Sequence, residues 1–295
     1  MSLSFDLAAP VALASSPPSR EEQPRRAPFA FSRFFHDPAW SRWTAWTLPA
    51  LVLVAWEILA RAGLISSRLL PPPSAVLASA WTLTLSGELG NDILVSSLRA
   101  FAGFAIGASV GFALGIASGF FRSAEVLLDT PLQMVRNIPL LALVPLVIIW
   151  FGVGETAKVF LVAVSVFFPL YLNTCHGIRS VDPALVEMAG VYGATRASLL
   201  RDVLLRGALP SILLGVRYAL GYMWLFLVVS ETLSATSGIG YLAMDAREMV
   251  RTDIVLVSIG LYALLGKASD SVARAIERRF ASWHASVQSE KRRTR

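Results

Sequence analysis

The sequence predicts an all-α integral membrane protein, and three observations carry that prediction. Hydrophobic residues make up 55% of the 295 residues and charged residues only 16%, whereas a soluble domain averages about 25% charged residues. The apolar residues form runs about 20 residues long, which is the length of helix that crosses the hydrocarbon core of a bilayer. Lys and Arg residues gather at the ends of these runs, as they do in membrane proteins.

The apolar runs predict six transmembrane helices. The predicted spans lie near residues 46–64, 93–120, 130–152, 156–174, 208–230 and 253–270. Residues 65–91 connect the first two spans. This connection contains the rigid run Pro71–Pro73 and an amphipathic stretch, Ala75–Leu85.

The distribution of positive charge predicts that both termini lie in the cytoplasm. Eighteen of the 26 Lys and Arg residues lie in segments that this orientation puts inside, and six lie in segments that it puts outside. The other two, Arg136 and Arg217, lie within spans. Because cytoplasmic segments carry the excess of Lys and Arg, residues 175–207 are predicted to form a cytoplasmic loop.

Both ends of the chain are predicted to be tails outside the membrane. Residues 1–45 are rich in Ala, Pro, Ser and Arg, a composition that predicts disorder. Val11–Ser15 imitates a signal cleavage site, but no basic region precedes it, so we expect an uncleaved cytoplasmic tail. Residues 46–282 are the predicted transmembrane domain, and residues 283–295 are a basic cytoplasmic tail.

The chain has few of the features that catalysis, metal binding or nucleic-acid binding require. Its net charge of +6 is spread over span ends, which argues against a nucleic-acid partner. Cys175 is the single cysteine and the three histidines are scattered, so neither an internal disulfide nor a metal site is expected. Five residues, where a nucleotide-binding loop has four, separate Gly260 from Gly266–Lys267, and Ala268 replaces the Ser or Thr that holds Mg²⁺. We expect no cofactor, and any process of this chain that needs energy has to draw it from another subunit or from an ion gradient.

A polar interruption between two apolar runs predicts a pair of short helices that face water. Asp182 is a good N-cap and Pro183 a good first helical residue. Gly193 permits a sharp corner. A second short helix, which carries Arg196, Arg201 and Asp202, is expected to run on to Pro210. Such a corner offers a surface to a soluble partner.

The spacing of residues in this interruption resembles the cytoplasmic loop of permease subunits of bacterial ABC importers. The matching positions are Glu187, Ala189, Gly193, Val203 and Leu205, followed by Leu209 and Pro210. Met188 replaces an alanine of the family pattern, and Arg206 stands where the family usually has proline. Three later segments are similar to the aliphatic-sulfonate, taurine and nitrate branch of that family: Ser230–Thr232, Ser237–Leu242 and Leu261–Lys267. The resemblance covers residues 46–282.

This resemblance implies a type I ABC importer permease fold with six transmembrane helices in the bacterial inner membrane. It implies a homodimer of permeases whose loops, here called the coupling loop (residues 175–207), are gripped by a cytoplasmic ABC ATPase dimer. It also implies a periplasmic substrate-binding protein that docks outside, and alternating access driven by ATP. The implied cargo is a small anion, first an aliphatic sulfonate, with taurine, nitrate or another small solute as alternatives.

Four polar residues of the transmembrane domain are candidates for lining a substrate pathway: Arg136, Asn137, Arg217 and Glu231. An ionised side chain within a span is costly and usually faces protein or a wet cavity. Arg217 lies near the cytoplasmic interface, seven residues after Pro210. Glu231 ends the fifth predicted span. It is either part of a periplasmic gate or re-entrant element, or a helix-end carboxylate in water.

Arg136 is the candidate with the most specific chemistry. It lies in the third predicted span, which is expected to bend because it contains three prolines, Pro131, Pro139 and Pro145. A guanidinium binds a sulfonate or another oxyanion through paired N–H donors. Alternatively, Arg136 reaches lipid head groups or pairs with Asp129.

Two structural alternatives also follow from the sequence. Glycine recurs every fourth residue in the second span, which predicts either a dimerisation seam or close packing within one chain: Gly103, Gly107, Gly111, Gly115 and Gly119. The competing function classes are an ion-coupled secondary carrier and a structural membrane scaffold. Inverted repeats and intramembrane acidic residues are typical of the carrier, but no repeat is evident here.

Overall fold

The structure is a computed structural model that describes residues 38–234 and 236–280; the side chains of residues 38–46 and of Ser234 are outside this description. Most of the predicted N-terminal tail and all of the predicted C-terminal tail, residues 283–295, also lie outside it. Contacts within the chain divide it into two units, residues 1–46 and residues 47–295. The packing of the spans described below takes place within the second unit.

The described residues form α-helices and no β-strand, which confirms the all-α prediction. The helices are α1 (Pro38–Arg61), α2 (Pro73–Leu85), α3 (Glu88–Phe120), α4 (Arg122–Arg136), α5 (Val144–Phe151), α6 (Glu155–Arg179), α7 (Pro183–Val191), α8 (Arg196–Ser198), α9 (Leu205–Ser234), α10 (Ile239–Glu248) and α11 (Thr252–Phe280). A 3-10 turn, Leu140–Leu143, precedes α5, and a π-helical segment, Leu199–Leu204, joins α8 to α9.

Four helical stretches of the described chain are long and apolar enough to cross a membrane: α3, α6, the continuous stretch Arg196–Leu233, and α11. A fifth span results if α4 and the segment Leu140–Phe151, which meet at 85°, are one broken span. These stretches coincide with the second to sixth predicted spans. Because α1 is not in this count, the total of six spans stays a prediction.

The third predicted span is bent at one of its three prolines. Pro131 lies inside α4. Pro145 lies in the first turn of α5, where the backbone N–H groups have no partner within the helix, so proline loses no hydrogen bond there. The chain turns at Pro139, which immediately precedes the 3-10 turn. The prediction of a bent span is thus confirmed, and the bend separates α4 from α5.

The five regularly spaced glycines of α3 face α6. A Cβ added at Gly103 would lie 2.6 Å from Val162 Cβ, and one added at Gly111 would lie 2.6 Å from the carbonyl oxygen of Phe167. At Gly107 the added atom would overlap the backbone of Ala163. The two helices approach this closely because glycine has no side chain. The glycine row therefore serves packing within one chain, and the dimer-seam interpretation of the same row is wrong.

One buried apolar cluster lies where α3, α6 and α9 meet, and it comprises Ala100, Val162, Val166, Ala219, Met223, Trp224 and Leu227. Trp224 also donates its indole N–H to Ser269 Oγ of α11 at 2.8 Å. These helices position two sites. The C-terminal end of α6 and the start of α9 carry the coupling loop, and the opposite ends of both helices carry a polar cluster.

Candidate functional site

The first arm of the coupling loop is α7, and its sequence signals are all realised. The Asp182 side chain accepts a hydrogen bond from Ala184 N at 2.9 Å, so it caps the helix that Pro183 begins. Gly193 has φ +73°, a left-handed conformation that glycine adopts without a steric penalty. Ala194 N donates to Ala189 O at 3.0 Å, which closes the C-terminal turn of α7. The predicted N-cap and the predicted corner are both confirmed.

The second arm differs from the prediction. The sequence predicts a short helix that runs on to Pro210, but the helical stretch Arg196–Leu233 is continuous and Pro210 lies inside α9. Proline lacks the N–H that would bond to the carbonyl four residues earlier, that of Arg206. The π-helical segment Leu199–Leu204 lies just upstream and changes the bonding register there. The loop therefore leads directly into a span and does not end at its mouth.

The residues predicted from the loop pattern divide into two groups in the structure. Glu187, Gly193 and Arg206 are exposed. The other predicted residues are half-buried: Ala189, Val203, Leu205, Leu209 and Pro210. Leu205 packs on a buried cluster of Ile178, Leu204, Ala208 and Ile212. The base of the loop is thus anchored in the core, whereas its corner is free to contact another molecule.

The corner also carries an apolar surface that the sequence analysis missed. Val191 is 87% exposed and Tyr192 is 84% exposed, and Met188 and Leu185 next to them are exposed too. Neighbouring exposed apolar residues of this kind are typical of interaction sites. The apolar composition of α7 could have predicted this surface. A nine-residue helix with few core contacts cannot bury apolar residues on all its faces.

Glu231 lies in a buried polar cluster and not in water. It is 1% exposed, and its carboxylate accepts hydrogen bonds from Ser96 Oγ at 2.8 Å, Arg99 Nη1 at 2.8 Å, Gly240 N at 2.9 Å and the Tyr262 hydroxyl at 3.0 Å. The interpretation of Glu231 as a solvated helix-end carboxylate is therefore wrong. Four donors from three helices, α3, α10 and α11, compensate the cost of burying this charge.

Arg99 is the centre of the same cluster. It is one of the six Lys and Arg residues that the predicted orientation puts outside. Its guanidinium pairs with Glu231 and with Glu155 of α6, and it also donates to the Ser237 carbonyl oxygen at 2.6 Å. The Glu155 side chain is 60% exposed and also accepts from Lys158 at 2.9 Å. One arginine thus joins α3, α6 and α9 to the segment that precedes α10.

The glycines of Ser237–Gly240 allow this segment to enter the cluster. Gly238 N donates to Asp92 Oδ1 at 2.8 Å, and Ile239 N donates to Ser96 Oγ at 2.9 Å. Together with Gly240 N, these are the N–H groups at the start of α10 that have no partner within their own helix. A Cβ at Gly238 would lie 2.6 Å from Glu231 Oε1. Larger residues would force the backbone away from its acceptors.

The remaining pathway candidates are separated from Glu231. Arg217 Nε donates to Asp270 Oδ1 of α11 at 2.7 Å, so its charge is compensated within the chain. Arg136 and Asn137 are both exposed; Arg136 ends α4 and lines a cavity of about 370 Å³, and Asn137 is not among the residues that line it. The carboxylate of Asp129 accepts from Gln133 at 2.8 Å, and Arg136 makes no ion pair in the described part of the chain.

Comparison with known proteins agrees with this geometry. Residues 107–282 match the family described as binding-protein-dependent transport system inner membrane component. The chain is 54% identical to the aliphatic sulfonates transport permease protein SsuC of Escherichia coli, with 81% of this chain and 91% of that protein covered. It is 35% identical to the taurine transport system permease protein TauC of the same organism, with 81% of this chain and 89% of that protein covered.

A solved structure supports the fold assignment. The crystal structure of an amino acid ABC transporter with histidines superposes with a TM-score of 0.54 at 19% identity, and the match covers 69% of this chain and 96% of that one. At this identity the likeness shows the fold alone. The resemblance seen first in the coupling loop is confirmed along most of the sequence: the chain belongs to the family of binding-protein-dependent transport system inner membrane components.

Proposed function

We propose that the chain is the permease subunit of an ABC importer that carries an aliphatic sulfonate across the inner membrane by alternating access. The observation that carries this proposal is the 54% identity to a protein named as an aliphatic sulfonates transport permease, over 81% of the chain. Taurine is the second candidate, because the 35% identical relative is named for it. Nitrate and other small solutes remain wider alternatives within the same machinery.

The coupling loop is the proposed contact with the ATPase. Its corner combines an exposed carboxylate, Glu187, with the exposed apolar residues Met188, Val191 and Tyr192. Its base is fixed to α6 and α9 through Leu205 and its neighbours. A rigid arm that ends in an apolar surface can transmit a movement of the ATPase to the spans. ATP hydrolysis takes place on the partner, and this chain supplies the path and the coupling.

The orientation and the assembly are also proposed. The charge distribution favours cytoplasmic termini and a cytoplasmic coupling loop. The polar cluster around Glu231 then faces the periplasm, where a substrate-binding protein docks and where Ser237–Gly240 serves as a gate or re-entrant element. A second copy of the chain completes the path. Since α6 covers the glycine row of α3, the homodimer has to use another surface.

Affinity purification tests the assignment to an ABC importer. The tagged chain is co-expressed with an ABC ATPase and a binding protein from the same genome and is then purified from membranes. We expect the ATPase to co-purify in equal amount with the permease. Recovery of folded permease without ATPase, together with uptake that follows an ion gradient, would support a secondary carrier instead and overturn the proposal.

A further inference from the structure

The cavity beside Arg136 is lined by both apolar and polar side chains. It has a volume of about 370 Å³ and lies where the end of α4, the turn at Leu140, the middle of α6 and the middle of α9 meet. This volume is within the range of roughly 300–1,000 Å³ that small-molecule sites occupy. Its lining includes the apolar residues Leu140, Phe168, Pro169 and Leu172. The rest of the lining carries polar side chains, so the cavity offers both kinds of contact to a ligand with a polar head and an apolar body.

Arg136 is the cation in the lining of this cavity that can bind an anionic ligand. Arg99 is paired with Glu155 and Glu231, and Arg217 is paired with Asp270. Arg136 has no carboxylate partner in the described residues, although it contributes directly to the cavity wall. A guanidinium without a counter-ion in a partly apolar site attracts an anion and offers planar, paired N–H donors to it.

Two tyrosines add free hydroxyl donors to the lining of the cavity. Tyr218 and Tyr222 lie one turn apart on α9 and are about half exposed, and within the described chain neither hydroxyl makes a hydrogen bond. By contrast, the Asn173 amide donates to Pro169 O at 2.8 Å, and the Ser165 hydroxyl donates to Val162 O at 2.7 Å. The donors free for a ligand are therefore the guanidinium and the two phenols.

We infer that this cavity is a sulfonate-binding site within the permease. Arg136, Tyr218 and Tyr222 hold the sulfonate head, and the apolar side chains of Leu140, Phe168, Pro169 and Leu172 hold the alkyl chain. The inference rests on the proposed function and deepens it. A sulfonate is a monoanion with three acceptor oxygens, which matches one unpaired cation and two hydroxyl donors. Nitrate fits the site less well, because it has no alkyl chain to bury against these apolar side chains. A dianion also fits less well, because one of its two charges would stay uncompensated.

A transport assay with matched variants tests the site. The complete complex is reconstituted in vesicles, and uptake of labelled butanesulfonate is measured per assembled ATPase-bound permease. Arg136→Gln is expected to lower uptake on the order of tenfold or more, because a hydrogen bond to a charged group is lost. Arg136→Lys is expected to restore only part of it, since an ammonium lacks the planar fork. Arg122→Gln, which removes one positive charge at the other end of α4, is the control and is expected to leave uptake unchanged.

Each outcome of that assay decides something. Full uptake by Arg136→Gln, or full rescue by Arg136→Lys with equal assembly, overturns the site but leaves the proposed function standing. The absence of sulfonate uptake by the unaltered complex, with its ATPase bound, overturns both. Loss of assembly in Arg136→Gln that Asp129→Asn reproduces would assign Arg136 to an ion pair with Asp129 and would also overturn the site.

A chemical measurement tests the site without transport. In a chain with Cys175→Ser, the variant Asn173→Cys puts one thiol on the cavity wall. We expect the anionic reagent sulfonatoethyl methanethiosulfonate to react faster there than the cationic trimethylammonioethyl reagent. Arg136→Gln is expected to lower the ratio of the two rates by about five- to tenfold, because it removes one unit charge from the lining of a partly wet cavity. A ratio that Arg136→Gln leaves unchanged overturns the inference.

Discussion

At the scale of single residues, the corner of the coupling loop depends on Gly193. Its φ of +73° costs a side-chain-bearing residue about 1–2 kcal/mol, and a β-branched residue more. Space is not the obstacle, because no atom lies within 4 Å of a Cβ added there. We predict that Gly193→Val leaves the amount of permease in the membrane near normal and abolishes substrate-stimulated ATP hydrolysis by the complex.

Gly190→Val is the matched control for Gly193→Val. Gly190 lies on α7 three residues earlier, is exposed, has an ordinary φ and also has no atom within 4 Å of an added Cβ. Gly190→Val adds the same side-chain atoms as Gly193→Val, but it does not strain the backbone of the corner. Stimulated hydrolysis that falls equally in both variants, or in neither, would contradict the assignment of the corner to Gly193.

Glu231 supplies a second prediction at the residue scale, because Arg99 has one buried and one exposed carboxylate partner. Glu231→Gln keeps the shape of the side chain but removes the buried counter-charge, and its amide turns a donor group toward other donors. We expect it to destabilise the purified permease by about 3 kcal/mol or more, as breaking a buried ion pair does. Glu155→Gln, at the 60% exposed partner, is expected to cost much less.

Thermal unfolding of the two variants in detergent makes this comparison. Glu231→Gln should melt at a distinctly lower temperature than Glu155→Gln. Equal melting temperatures would show that the buried pair contributes no more than the exposed one. In that case Glu231 would be retained for a reason other than holding Ser237–Gly240 against α3 and α9.

The partners of Glu231 explain why its environment was not predictable. Ser96 and Arg99 lie 135 and 132 residues away along the chain, and Tyr262 lies 31 residues away. No local pattern joins such positions, and a carboxylate at the end of an apolar run reads as a solvated helix end. The Asp182 cap and the Gly193 corner were predictable, because a cap and a left-handed turn are decided by residues within one or two turns.

At the scale of elements, α3 and α6 pack closely along the glycine row of α3. A Cβ at Gly107 would overlap the Ala163 backbone, and backbone atoms cannot move aside as the end of a side chain can. We predict that Gly107→Val lowers the yield of folded chain and its melting temperature, with a cost of roughly 1–3 kcal/mol or more from overpacking. Ala105→Val, on the exposed side of α3, is the control.

For the helices, the sequence predicts their positions but not which of their faces pack together, as the glycine row of α3 shows. The length of the apolar runs and the prolines predicted where helices lie, since both depend on local chemistry. Which face of α3 meets which helix depends on the three-dimensional arrangement, and a small-residue stripe fits a neighbour in the same chain or in a second copy equally well. If Gly107→Val gave folded, monomeric permease of normal stability, packing on α6 would not be the role of the row.

At the scale of the whole molecule, the orientation in the membrane has a direct test. In a Cys175→Ser background, one cysteine is placed at Val191 in the coupling loop or at Ser67 in the connection after α1. Both positions are exposed in the structure. We predict that a membrane-impermeant maleimide labels Val191→Cys only from the cytoplasmic side and Ser67→Cys only from the outside, as the charge bias requires. The reverse labelling would invert the topology.

One uptake measurement tests whether this chain couples ATP hydrolysis to the import of a sulfonate. Vesicles contain the permease with its ATPase, the binding protein and labelled butanesulfonate are outside, and ATP or a non-hydrolysable analogue is sealed inside. We predict that labelled butanesulfonate accumulates with ATP, that none accumulates with the analogue, and that none accumulates with ATP in the Gly193→Val complex. Accumulation that needs an ion gradient and proceeds equally with the analogue would contradict this prediction.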